Sequence, residues 1–230
     1  MRYILKLTVL LICVFLWVSP VAYTQVPVRL GVDAGINFAN QSLSNNPYGD
    51  SKTSRLGFLF GGLAEIGIAN IWSIQAEPRY IQKGWKVPDA FSITGPSGPE
   101  IIGTADLVYK LDYLEIPVLL KAKFGIADFK PFVFGGPNIG FLLSAIGEGA
   151  GYDVQSQRRI SLDVKDNYKS VDLSVDLGAG AEYQFSQNIC LISDARYSLG
   201  FNNLNNKSSS SGDAIKSYGI QILAGVLLSM

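Results

Sequence analysis

The chain has 230 residues, two cysteines, no histidine, and 19 Lys+Arg against 19 Asp+Glu. A neutral chain without a Lys/Arg cluster offers nothing to a phosphate backbone, so no nucleic-acid partner is expected. Without histidine there is no Ser-His or Cys-His nucleophile and no usual zinc ligand set, so neither an enzyme nor a cofactor is expected.

The N-terminus reads as a secretory signal. Arg2 and Lys6 form a positive n-region, Leu7 to Val18 is the apolar h-region, and Ala22 and Thr24 supply small side chains before Gln25. This layout predicts a signal peptide over 1–24, cleaved after Thr24, and one domain over 25–230. A transmembrane anchor is the rival, but the apolar run is shorter than the ~20 residues a spanning helix needs. Cleavage leaves a formal charge of −2 and Cys190 as the one cysteine, so no intramolecular disulfide can form.

From there the period is two. In order, runs at 28–38, 55–68, 72–84, 108–124, 129–143, 170–185, 189–201 and 216–230 alternate as strands do. The clearest places Val171, Leu173, Val175, Leu177, Ala179, Ala181, Tyr183 and Phe185 on one face. Asp172, Ser174, Asp176, Gly178, Gly180, Glu182 and Gln184 take the other. The runs exceed the five or six residues usual in soluble strands and match the ~9–11 of a tilted membrane strand. Their connections alternate long and short. The long ones lie at 39–54, 85–107, 144–169 and 202–215, and Ser186-Gln187-Asn188 typifies the short turns. Long outer loops opposite short periplasmic turns are the pattern of an outer-membrane barrel. The expected fold is therefore all-β: an eight-stranded antiparallel up-and-down transmembrane β-barrel in the cell outer membrane.

Two sets of aromatics on the apolar face fit interfacial girdles: Trp72, Phe124, Tyr183 and Phe185 by the short turns, and Phe38, Tyr80, Tyr197, Phe201 and Tyr218 by the long loops. Pro78, Pro117 and Pro137 fall within strands, where each removes a ladder donor, so bulges or local unpairing are expected there. Gly147 to Gly151 reads as a flexible loop, and Asp153, Asp163 and Asp166 as a solvated loop face without the spacing of a calcium loop.

In such a barrel the polar face lines the lumen. It carries Asp33, Glu65, Glu77, Glu115, Asp172, Asp176, Glu182 and Asp194 with Arg79, Lys83, Lys121, Lys123 and Arg196. Eight strands leave room only for side chains. The expected site is a structural charge network of Asp33, Glu77, Arg79, Glu115, Lys121, Asp176, Glu182, Asp194 and Arg196, with Arg196 as partner of Asp176 or Glu182. Cys190 is read as a small packing residue.

Several segments in order resemble the PorT-like outer-membrane β-barrel proteins of the Bacteroidetes: GVDAGINFAN (31–40), QAEPRY (75–80), DYLEIPVLLKAKFG (112–125), KPFVFGGPNIGFLL (130–143), DLGAGAEYQF (176–185) and DARYSLGFNNL (194–204). The resemblance implies an eight-stranded outer-membrane barrel and, through one namesake, a link to protein secretion. Expected partners are outer-membrane lipid, the barrel assembly machinery and an unknown partner of the long loops. Two other functions stay open: a narrow pore or transporter, and a soluble lipocalin-like carrier with its apolar face turned inward.

Overall fold

The computed structural model describes residues 28–44, 48–94, 101–125, 127–153, 156–206 and 214–229. The expected signal peptide lies outside them. The strands are β1 (Val28–Leu43), β2 (Thr53–Gly67), β3 (Trp72–Ala76), β4 (Arg79–Thr94), β5 (Ile101–Lys123), β6 (Phe129–Asp153), β7 (Ser156–Asp163), β8 (Val171–Gln184), β9 (Ile189–Gly200) and β10 (Ile215–Ser229).

The pairings close on themselves. β1 pairs β2, β2 pairs β4, β4 pairs β5, and the ring continues through β6, β8, β9 and β10 back to β1. β3 lies between β2 and β5, as β4 does, so the two are one wall strand interrupted at Glu77-Pro78. The result is an eight-strand antiparallel ring. Closure satisfies the backbone without leaving an edge, which a bilayer demands because lipid offers no hydrogen bonds.

Alternation sets the faces. Val32, Ile36, Phe38, Val175, Leu177 and Leu199 are exposed, whereas Asp33, Asn37, Asp172, Asp176, Glu182 and Ser198 are buried. The apolar set therefore faces outward and the charges face in, the reverse of a soluble carrier. Trp72, Phe124, Tyr183 and Phe185 ring the end bearing the short turns. Phe38, Tyr197 and Phe201 are exposed toward the other end, and Phe58, Phe60 and Tyr80 pack with centroids 5.4–6.4 Å apart nearer mid-wall, beside Arg79.

The strands outrun the sequence reading at the loop end. β4 and β5 remain paired up to Thr94 and Ile101, and β6 pairs β7 from Ile146 to Asp153. Two hairpins thus stand where 85–107 and 144–169 were expected to be loops. Gly147 and Gly149 lie within β6, not in a flexible loop. Glycine leaves no side chain to mark a face, so the alternation cannot be read there.

The proline expectation resolves into unpairing without bulges. Glu77-Pro78 breaks the wall strand, and Glu77 lies opposite Pro117, whose carbonyl accepts the Glu77 N–H at 3.1 Å while its own nitrogen has nothing to return. Pro117 registers with Asn138, and the β5–β6 ladder then skips 118–119 and 136–137 before resuming at Leu120 and Gly135 in unchanged register. Three prolines on neighbouring stretches of wall form one seam.

Candidate functional site

The charged interior spans the barrel in three connected levels. At the turn end, Glu65 and Glu182 share three cations. Arg29 Nη2 lies 2.5 Å from Glu65 and 2.8 Å from Glu182, and Lys121 Nζ lies 3.0 and 2.6 Å from the same pair. Lys123 pairs with both as well. At mid-height, Arg79 Nη2 bridges Glu115 at 2.8 Å and Asp176 at 3.0 Å, and Nη1 reaches Glu77 at 3.2 Å. Arg196 joins Glu77 at 2.5 Å to Asp194 at 2.9 Å. Toward the loops, Lys83 lies 2.5 Å from Glu115 and 3.0 Å from Asp172, whose other donor is the Ser217 hydroxyl at 2.7 Å.

Neutral amides link the levels. Gln75 accepts from Lys121 at 2.9 Å and donates to Glu77 at 2.5 Å, while Asn138 donates to Glu115 at 3.0 Å. Aromatic faces take the outer sides of the cations. Lys121 Nζ lies 3.9 Å from the Phe132 centroid, Arg196 Cζ 4.9 Å from that of Phe134, and Lys83 Nζ 5.2 Å from that of Tyr113. Each of these three cations thus meets both carboxylates and a ring quadrupole.

The structure brings eight of the nine expected residues into ion pairs: Glu77, Arg79, Glu115, Lys121, Asp176, Glu182, Asp194 and Arg196. Asp33 is buried with them but has neither ion pair nor hydrogen bond among the described residues. One pairing differs from expectation. Arg196 serves Glu77 and Asp194, while Asp176 belongs to Arg79, and Glu182 to Arg29, Lys121 and Lys123. Glu77 lies in the strand break, where sequence register cannot show that it meets Arg196.

Two features escaped the sequence reading. Arg29 completes the turn-end level, and its place opposite Glu65 across β1–β2 follows only from the register. Apolar side chains also fill the lumen: Leu63, Leu119, Phe132, Phe134, Ile192 and Leu227 toward the turns, and Leu59, Ile81, Leu111, Tyr113, Leu142 and Leu223 toward the loops. Phe132 and Phe134 share a strand with outward Val133 and Phe141, so apolar residues occupy both faces there. At the loop-end mouth, Tyr168 and Leu204 fold inward and are 6% and 0% exposed. The Tyr168–Asn205 bridge and the Lys169 N–H to Leu204 carbonyl bond of 2.7 Å tie them together.

Cys190 is buried 3.8 Å from Glu182, in a cluster with Leu63 and Ile192. Asp163 accepts the Lys165 backbone N–H at 2.9 Å.

An antiparallel ring with an apolar outer wall and an ionic interior defines an outer-membrane β-barrel. The chain belongs to the outer membrane protein beta-barrel domain family, whose model matches residues 23–206, and it resides in the cell outer membrane. No curated protein matches it in sequence. Similar solved structures include neisserial surface protein A, at 16% identity over 86% of this chain and 96% of that one, with a TM-score of 0.46. OprG from Pseudomonas aeruginosa is 12% identical over 89% and 97%, at 0.47. The attachment invasion locus protein Ail of Yersinia pestis, in complex with the heparin analogue sucrose octasulfate, is 12% identical over 87% and 98%, at 0.41.

Proposed function

We propose that this barrel is a closed, non-catalytic scaffold that lipid surrounds, that the barrel assembly machinery inserts, and that presents its loop-end hairpins to a partner outside the cell. The observation that carries this reading is the filled lumen. Charged side chains 0–7% exposed occupy its length, and Tyr168 and Leu204 cover its loop-end mouth. From the loop-end mouth a substrate has no route to the mid-height carboxylates Glu77, Glu115 and Asp176, which argues against acid–base work at them. The hairpins β4–β5 and β6–β7 extend past the ring and offer the surface on which binding tends to sit. The PorT-like segments associate that partner with secretion.

The test is conductance. Purified protein in planar bilayers should show no discrete channel steps, and Tyr168→Gly with Leu204→Gly should leave the membrane sealed because the ion-pair levels lie beneath. Regular steps from the unaltered protein would replace the scaffold with the narrow pore.

A further inference from the structure

Outside the turn-end charge level, the described residues leave the mouth of the barrel open. A vestibule of about 510 Å³ opens there beneath Ala69-Asn70-Ile71, with Arg29, Ser73, Lys123 and Lys130 among its walls. That volume falls in the range of small-molecule sites, roughly 300–1,000 Å³. Its charge is positive. Of its described lining residues, Arg29, Lys123 and Lys130 are cationic and Glu65 alone is acidic, while behind them Lys121 and Glu182 pair with each other. A cation would be repelled, and the spare positive charge calls for an anion.

Unused donors converge on the same space. Arg29 contacts Glu65 and Glu182 through Nη2 alone, so Nε and Nη1 keep their hydrogens free among the described residues. Ser73 is 2% exposed, lines the vestibule, and its hydroxyl has no partner among the described residues. A buried hydroxyl left unpaired costs about 1–3 kcal/mol, which a bound acceptor would recover. A guanidinium fork, an ammonium and a hydroxyl together suit a group with three acceptor oxygens better than a carboxylate with two.

We propose that this vestibule binds a phosphate-bearing anion presented at the turn end, a function separate from the loop-end scaffold. Two sources share the chemistry: a soluble phosphomonoester, or the headgroup of a phospholipid in the facing leaflet. Exposed Trp72 and Phe124 at the rim put the opening at interfacial height, within reach of headgroups.

Calorimetric titration of the full chain in nonionic detergent tests this in two arms: glycerol phosphate, and micelles doped with phosphatidylglycerol. Acetate is the carboxylate control. Saturable binding in either arm supports the proposal, and the responding arm identifies the source. Ser73→Ala should weaken binding about three- to tenfold, the loss of one neutral hydrogen bond. It should fold normally, because its hydroxyl holds nothing among the described residues. Lys123→Met should weaken binding at least ~10-fold, and Arg29 and Lys121 still partner Glu65 and Glu182 in it. The proposal is overturned if neither arm saturates, if acetate binds as tightly, or if both variants bind like the unaltered protein.

Discussion

Asp33 and Glu77 are both lumen carboxylates on a wall strand or its interruption, and neutralising them should move stability in opposite directions. Among the buried described residues above the turn-end level, the carboxylates Asp33, Glu77, Glu115, Asp172, Asp176 and Asp194 outnumber the cations Arg79, Lys83 and Arg196. Glu77, 0% exposed, takes three guanidinium contacts of 2.5–3.3 Å and one amide hydrogen bond. Removing one partner of a buried pair costs about 3–5 kcal/mol. Arg79 keeps Glu115 and Asp176, and Arg196 keeps Asp194, so Glu77→Gln should fall at the lower end, about 3 kcal/mol. Asp33, 7% exposed, has no such partner among the described residues: Glu77 and Asp194 repel it, and Arg196 and Arg79 attract it only from beyond ion-pair distance. Asp33→Asn removes a buried unpaired charge of similar shape and should stabilise by about 1–3 kcal/mol. The two variants should thus differ by at least ~4 kcal/mol, nearly three decades in folding constant. Urea unfolding from liposomes, read by the mobility difference between unheated and heated samples, measures both. An Asp33→Asn protein no more stable than the parent would refute the charge-excess reasoning, and a Glu77→Gln protein within ~0.5 kcal/mol of it would refute the pairing.

Leu177 faces lipid at 59% exposure, so Leu177→Arg should cost roughly 2–4 kcal/mol in the same assay if it lies near the midplane; no loss would place this face away from lipid. In a Cys190→Ser background, cysteine at exposed Lys165 should react with an impermeant maleimide on whole cells and cysteine at exposed Ser186 should not; the reverse pattern would invert the barrel. Burial pulls the Lys52 ammonium from 10.5 down to about 8, with its Nζ 5.4 Å from the Trp85 ring. The fold therefore disfavours the charged form: the penalty is present below about 8 and is relieved as pH rises from there toward 10.5. In a Trp72→Phe background, Trp85 emission should titrate near pH 8, and Lys52→Met should abolish that step; an unchanged titration would assign it elsewhere.

What the sequence made legible was whatever period two controls. The clean alternation of 171–185 shows which residues share a face, and closure then decides that Asp176 and Glu182 point inward. Partner choice was not legible. Asp176 meets Arg79 across 97 positions of chain, a contact set by where the wall strand breaks and how eight strands close rather than by local pattern. The aromatic floor under the cations was hidden for a related reason. Where Phe132, Val133 and Phe134 run consecutively, both faces are apolar and the period carries no sign of direction. Tyr168 and Leu204, which belong to no wall strand, reach the mouth through loop conformations that polar composition does not encode.

The proline seam gives the ionic lumen a mechanical role. A barrel resists lateral opening as a hoop does, through tension passed from stave to stave, and backbone hydrogen bonds normally carry it. Beside Pro78, Pro117 and Pro137 that lacing has gaps. At the same height, side chains cross between staves. Arg79 ties β4 to Glu115 on β5, Asn138 on β6 donates to that carboxylate, and both Arg79 and Asn138 reach Asp176 on β8. These cross-ties rivet the wall from within where it is least stitched, so loosening them should make this seam, rather than the β1–β10 closure, the place where the hoop first parts.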